Sequence, residues 1–318
     1  MSYTQSWLEF EKASGGRMVL QGSPEEIKKQ YEGLVEMLMP HAPPPSENVE
    51  SKDGDVDGVK YRVYKPKAAT QPLPIAIWAH GGGYMTGDLN ADDVLCRVVA
   101  EHTNSVVVNI DYSLTPESKW PTQLNECVKV YKWAHDNGNS IGGDPKKMYT
   151  IGGSAGGALA LQICNAVLKD NSLKDSIQGV IAMVPATTHP DNIPDKYKPM
   201  HKSYDENKEG VPIIDRNSMD IFYDHLGPDL NDSSMFTILA TENHKSFPPV
   251  YFTSCEFDPL RDDAYVMEAA LKEAGVPTKH DHYKGLPHYF WIFPGIPEAQ
   301  QYVGNLLGGI GWLQSQMK

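Results

Sequence analysis

The chain has 318 residues, 40 % of them apolar and 22 % charged, enough for one large α/β domain or two modest ones around a substantial core. Its formal net charge of −13 argues against nucleic acid or an anionic membrane as partner and is read as a solubility device. No apolar run is long enough to span a bilayer, and the opening MSYTQSWLEFEKASGG lacks the basic and apolar regions of a secretory signal. The expectation is therefore a cytoplasmic protein, with no membrane partner and with homodimer formation left open.

The first clear element is a helix over 24–39. Ser23 caps it, Pro24 suits its first position, Glu26 completes a capping box, and Ile27, Tyr31, Leu34 and Leu38 recur at helical spacing until Pro40. The run HAPPPSENVESKDGDVDG (41–58) then reads as a break between this piece and the rest. Beyond it, strands are expected at 59–66, 74–80, 105–112, 146–153, 177–185 and 249–256, with a weaker one at 278–285. Helices are expected at 124–138, 154–169, 262–275 and 297–314. Such alternation implies a mostly parallel sheet covered by helices on both faces. The polar, proline-rich stretch 187–245 interrupts it, with one helix candidate near 215–226, and reads as part of a lid. The resulting division is an N-terminal helical cap segment at 1–45 and a catalytic domain at 46–318 with a cap insertion at about 187–245.

Cys96, Cys127, Cys164 and Cys255 form no CxxC pair and lie in or near apolar segments, so buried free thiols are expected rather than disulfides or zinc. No residues cluster at metal-ligand spacing, and no metal or cofactor is expected.

The stretch TIGGSAGG (150–157) is the most informative. Four glycines in six residues cost backbone entropy, so the turn needs something that other residues cannot supply. Gly152-Gly153-Ser154-Ala155-Gly156 fits G-x-S-x-G between a strand and a helix. That context puts Ser154 on a strained turn with its hydroxyl at a helix N-terminus, Gly152 and Gly156 letting strand and helix approach. A phosphate loop would need a following lysine, which is absent. A nucleophilic serine requires a base and a place for the oxyanion. His80-Gly81-Gly82-Gly83 follows a buried strand and offers amides that no side chain obstructs, with His80 ordering the run. Asp258 lies just past a strand, whereas Glu256 falls within the strand end and Asp262 and Asp263 read as helix-start acids. Of eleven histidines, His288 in GLPHYFW sits in a loop beyond the last strand, whereas His280 and His282 fall inside it.

With HGGG, G-x-S-A-G-G, D-P-L-R-D-D and a C-terminal histidine in this order, the chain resembles the hormone-sensitive-lipase-like branch of the α/β-hydrolases from about residue 45 onward. Fungal pathway esterases acting on acetylated polyketide intermediates are similar over the same motifs. The resemblance implies an α/β-hydrolase fold with a helical cap, a Ser154–His288–Asp258 triad, and an oxyanion hole made by the amides of Gly82, Gly83 and Ala155. DYSLTPE (111–117) departs from the family's D-Y-R-L-A-P-E at Ser113 and Thr115, and Gly153 stands where many members carry an acid. The function expected is hydrolysis of a small or medium carboxylic ester. The same triad also serves acyl transfer, thioester or amide cleavage, and a non-catalytic small-molecule receptor on this fold would be expected to lack triad residues.

Overall fold

The computed structural model describes residues 2–318. Eight strands form one sheet: β1 Val49–Val56, β2 Val59–Pro66, β3 Leu73–Ala79, β4 Val106–Asp111, β5 Gly143–Gly153, β6 Ile177–Met183, β7 Val250–Phe257 and β8 Thr278–Pro287. Their order is β1-β2-β4-β3-β5-β6-β7-β8, antiparallel at β1–β2 and β2–β4 and parallel from there on. The helices are α1 Gln5–Ala13, α2 Pro24–Leu38, α3 Asp93–Thr103, α4 Thr122–Asp136, α5 Ala155–Val167, α6 Ser203–Glu206, α7 Arg216–Leu226, α8 Arg261–Glu273 and α9 Pro297–Ser315. The central strands β3, β4, β5, β6 and β7 are almost wholly buried, as their unbroken apolar runs require when both faces are covered. The small-residue helix α5 lies against β5 and β6, buried along nearly its whole length. All four cysteines are free and buried.

Four elements are not read from the sequence, the shortest being the four-residue α6 within the insertion. Residues 41–58 do not form a simple break, because β1 occupies their second half. Only its first residue is buried, so an edge strand with solvent around it carries no apolar alternation. In α1 the exposed Leu8 blurs the apolar stripe that Trp7 and Phe10 would otherwise mark. The helix α3 lies hidden in the run that follows the glycines, its buried face made of Cys96, Val99 and Ala100.

The N-terminal segment and the insertion after β6 join above the carboxyl ends of the strands. Leu20 N donates to Ile213 O at 2.8 Å, and Ile213 N donates to Met18 O at 2.8 Å, a short parallel bridge between the two pieces. The capping box at Ser23 and Glu26 is present as the sequence implies, and Ile27 and Leu34 are the buried residues of α2. The N-terminus is also stitched to the sheet: Thr4 N donates to Gly285 O at 2.9 Å, and Tyr3 stacks on Phe257 with ring centroids 3.9 Å apart.

Candidate active site

The turn after β5 holds Ser154 at φ 57° and ψ −120°, a backbone that L-residues seldom adopt and that the surroundings must enforce. Its amide donates to Met183 O at 2.8 Å, fixing the turn to β6. A methyl group on Gly156 would overlap the Ala79 carbonyl oxygen, and one on Gly152 would overlap Ala79 and Gly156. The tight strand–helix approach thus requires both glycines. The α5 N-terminus begins at Ala155, so its partial positive charge lies beside the serine.

Asp258 follows β7 and is fully buried. Its Oδ1 accepts from Leu260 N at 2.8 Å, and its Oδ2 faces His288 Nδ1 at 2.7 Å. A carboxylate there assigns the proton to Nδ1 and leaves Nε2 as the free lone pair. His288 stands one residue past β8, 3 % exposed, on the wall of a pocket that Ser154 also lines.

Gly81, Gly82 and Gly83 complete the same wall. Gly82 adopts φ +117°, and its carbonyl accepts from Met85 N, Thr86 N and Thr86 Oγ1, at 3.0, 3.0 and 3.1 Å, curling the run into a tight turn. His80 braces it from below. Its Nδ1 lies 2.7 Å from Gly81 O, and its ring stacks on Tyr112 at 4.3 Å. Burial pushes its pKa down to about 4, so the ring is neutral and donates from Nδ1.

The rival acids and histidines lie elsewhere. Glu256 accepts from Gly285 N at 2.6 Å, and His280 and His282 both meet Ser254 Oγ between β7 and β8. Asp262 and Asp263 stand in the first turn of α8, but their role differs from the expected capping. Asp262 accepts from Lys202 N and Ser203 N, and Asp263 from Thr187 N, Thr188 N and Thr188 Oγ1, so both fasten the insertion to the catalytic domain. Ser113, where the resembling family carries arginine, is held by Glu126 through its amide and hydroxyl at 2.6 and 2.8 Å.

The pocket's apolar wall is made by Leu20, Tyr31 and Leu34 from the N-terminal segment and by Ile213, Ile214 and Phe222 from the insertion. Of these the sequence marks Tyr31 and Leu34, on the apolar face of α2, and Phe222 lies within the helix candidate near 215–226. Trp7, Phe10 and Met37 line a neighbouring cavity that shares Ile213, and Met39 is exposed. Leu20, Asp92, Ile213, Ile214 and Tyr289 line the pocket with no signal in the sequence that singles them out.

The model of a family described as having the α/β-hydrolase fold matches residues 76–292, a span that includes Gly82, Gly83, Ser154, Asp258 and His288. The chain belongs to that α/β-hydrolase family. It is 63 % identical over 316 residues to a versiconal hemiacetal acetate esterase of Dothistroma septosporum, covering 99 % of this chain and 96 % of that one. It is 30 % identical to a carboxylesterase of Mycobacterium tuberculosis, over 94 % of this chain and 90 % of that one. Among solved structures, vibralactone cyclase superposes with a TM-score of 0.89 at 30 % identity, covering 99 % of this chain and 96 % of that one. This α/β hydrolase is a carboxylic-ester hydrolase, and no helix among its described residues is long and apolar enough to cross a membrane.

Proposed function

We propose that this hydrolase cleaves acetate esters of apolar hemiacetal alcohols, using Ser154 as nucleophile, His288 as base and Asp258 as its orienting acid. The observation that carries the catalytic part is the buried His288–Asp258 hydrogen bond at the wall of a pocket that also exposes Ser154. Ser154 Oγ attacks the ester carbonyl while His288 Nε2 takes its proton, and Asp258 compensates the imidazolium charge. The amides of Gly82, Gly83 and Ala155 receive the developing oxyanion, aided by the N-terminal end of α5. His288 returns the proton to the leaving alcohol, and water, activated by the same imidazole, releases acetate. The hemiacetal acetate class is supported by the name of the relative from Dothistroma septosporum, and an apolar alcohol by the apolar wall that the cap lends the pocket.

The cap is the N-terminal segment 1–45 joined to the insertion at about 187–245, and the catalytic domain spans 46–318. Four buried free thiols fit a reducing compartment, which supports a cytoplasmic location. The test is acetate release from versiconal hemiacetal acetate, compared with p-nitrophenyl acetate and p-nitrophenyl decanoate. The reading requires the hemiacetal acetate to give the highest kcat/KM. Turnover of the decanoate above both acetates would overturn the acetate assignment.

A further inference from the structure

Asp92 immediately precedes α3, the position where an aspartate ordinarily caps a helix by accepting from its first amides. Here the side chain makes no such bond. It turns away, 6 % exposed, and joins the wall of the pocket that holds Ser154 and His288. Trp78 Nε1, on the wholly buried end of β3, donates to Oδ2 at 3.0 Å and fixes the carboxyl plane. Among the described residues no other side chain donates to the carboxyl, and the Gly81 amide is the backbone donor drawn to it. A carboxyl that gives up its cap, endures burial on a pocket wall and holds a single side-chain donor keeps acceptor capacity for a further one. The wall around it is apolar at Leu34, Ile213, Ile214 and Phe222, and the hydroxyls of Tyr31 and Tyr289 line the same pocket without bonding the carboxyl.

We propose that Asp92 is a specificity residue whose Oδ1 accepts a hydrogen bond from a hydroxyl of the ester. The substrate class is thereby narrowed to apolar esters carrying a phenolic or hemiacetal hydroxyl. This deepens the esterase reading and rests on it. A site built to bond a hydroxyl discriminates strongly against the analogue lacking it, because the buried acceptor is then left unpaired. Burial pushes the Asp92 pKa up to about 6 against the pull of the Trp78 indole and the Gly81 amide, so at neutral pH the group remains mostly an ionised acceptor. Asparagine would reverse the pocket's polarity: its amide oxygen must turn to Trp78, and its NH2 then faces the substrate.

The experiment compares phenyl acetate with the 2-, 3- and 4-hydroxyphenyl acetates, each kcat/KM divided by the rate of that ester with hydroxide to remove intrinsic reactivity. The wild-type enzyme is expected to favour its best hydroxylated isomer by about 10–100-fold, the range of one charge-assisted hydrogen bond. Asp92→Asn should cut that preference by at least about fivefold, and Asp92→Leu should bring it to within about threefold of unity. The ratio is read within each variant, so a general loss of activity or of folded protein cancels. A preference carried unchanged through both variants, or no preference in the wild type, overturns the proposal while leaving the esterase reading intact. No turnover of any of the four esters by the wild type would overturn both.

Discussion

Tyr289 fills the space that a side chain at Gly153 would need. A methyl group there would overlap the Tyr289 hydroxyl and come within 2.7 Å of its ring carbon Cζ. This explains why glycine stands where many relatives of the resembling branch carry an acid, and it couples the nucleophile turn to the residue beside His288. Gly153→Ala should destabilise the fold by about 1–3 kcal/mol through overpacking and displace His288 with its neighbour. Tyr289→Gly removes the ring and suits its φ of 59°. The double variant should therefore lose much less activity than the product of the two single losses. Strict multiplicativity in kcat would contradict the coupling.

Asp258 and His288 should fail in different ways. His288→Ala removes the base and should lower kcat by roughly 10⁴–10⁶-fold. Asp258→Asn keeps the shape but favours the wrong tautomer, and should cost about 10⁴-fold with little change in KM. A larger loss from Glu256→Gln or His282→Ala than from these two would show that the wrong partners have been assigned.

The insertion is held by a buried ion pair, His201 Nε2 to Asp263 Oδ1 at 2.6 Å, with both side chains almost fully buried. Burial pulls the His201 pKa down, but the hydrogen bond and charge of Asp263, with Asp262 beyond it, overcome this and leave it above 6.5. The raised value fixes the sign. The pair's stabilisation is complete below pH 6.5 and is lost as pH rises through the higher folded-state pKa. Thermal unfolding of wild type and His201→Gln, scanned from weakly acidic to alkaline pH, should show a stability gap that narrows upward. A gap that widens with pH would refute the assignment.

Tyr31 and Leu34 bring α2 into the pocket. Leu34→Ala should cost about 2–5 kcal/mol if its site cannot collapse, and should shift selectivity toward longer acyl or bulkier alcohol groups. Since Tyr3 and Thr4 are tied to Phe257 and Gly285, removing residues 1–40 should destabilise the catalytic domain as well as uncover the site. Chain-length selectivity on p-nitrophenyl esters separates these views: an unchanged profile in Leu34→Ala would reduce α2 to a structural support.

The candidate site is legible in part because the chemistry proposed for it demands unusual local sequence. Ser154 sits among glycines that strand–helix contact requires, and Gly82 adopts a backbone that favours glycine. Asp258 and His288 were placed by their position beyond apolar strands. The pocket was less legible, since Ile213 and Leu20 meet only through a bridge between segments nearly two hundred residues apart, which no local pattern encodes. Asp92 was hidden for a different reason. The helix it precedes is itself not read from the sequence, and only the three-dimensional turn of its side chain brings the carboxyl to the pocket.

The most direct test of the account is covalent. A small serine-reactive phosphonate should modify the full-length protein at one residue, Ser154, found by peptide mass spectrometry, with activity lost in proportion to labelling. Ser154→Ala should fold, resist the reagent and hydrolyse esters roughly 10⁴–10⁶-fold more slowly. Labelling at any other serine, or turnover retained in the alanine variant, would contradict the account.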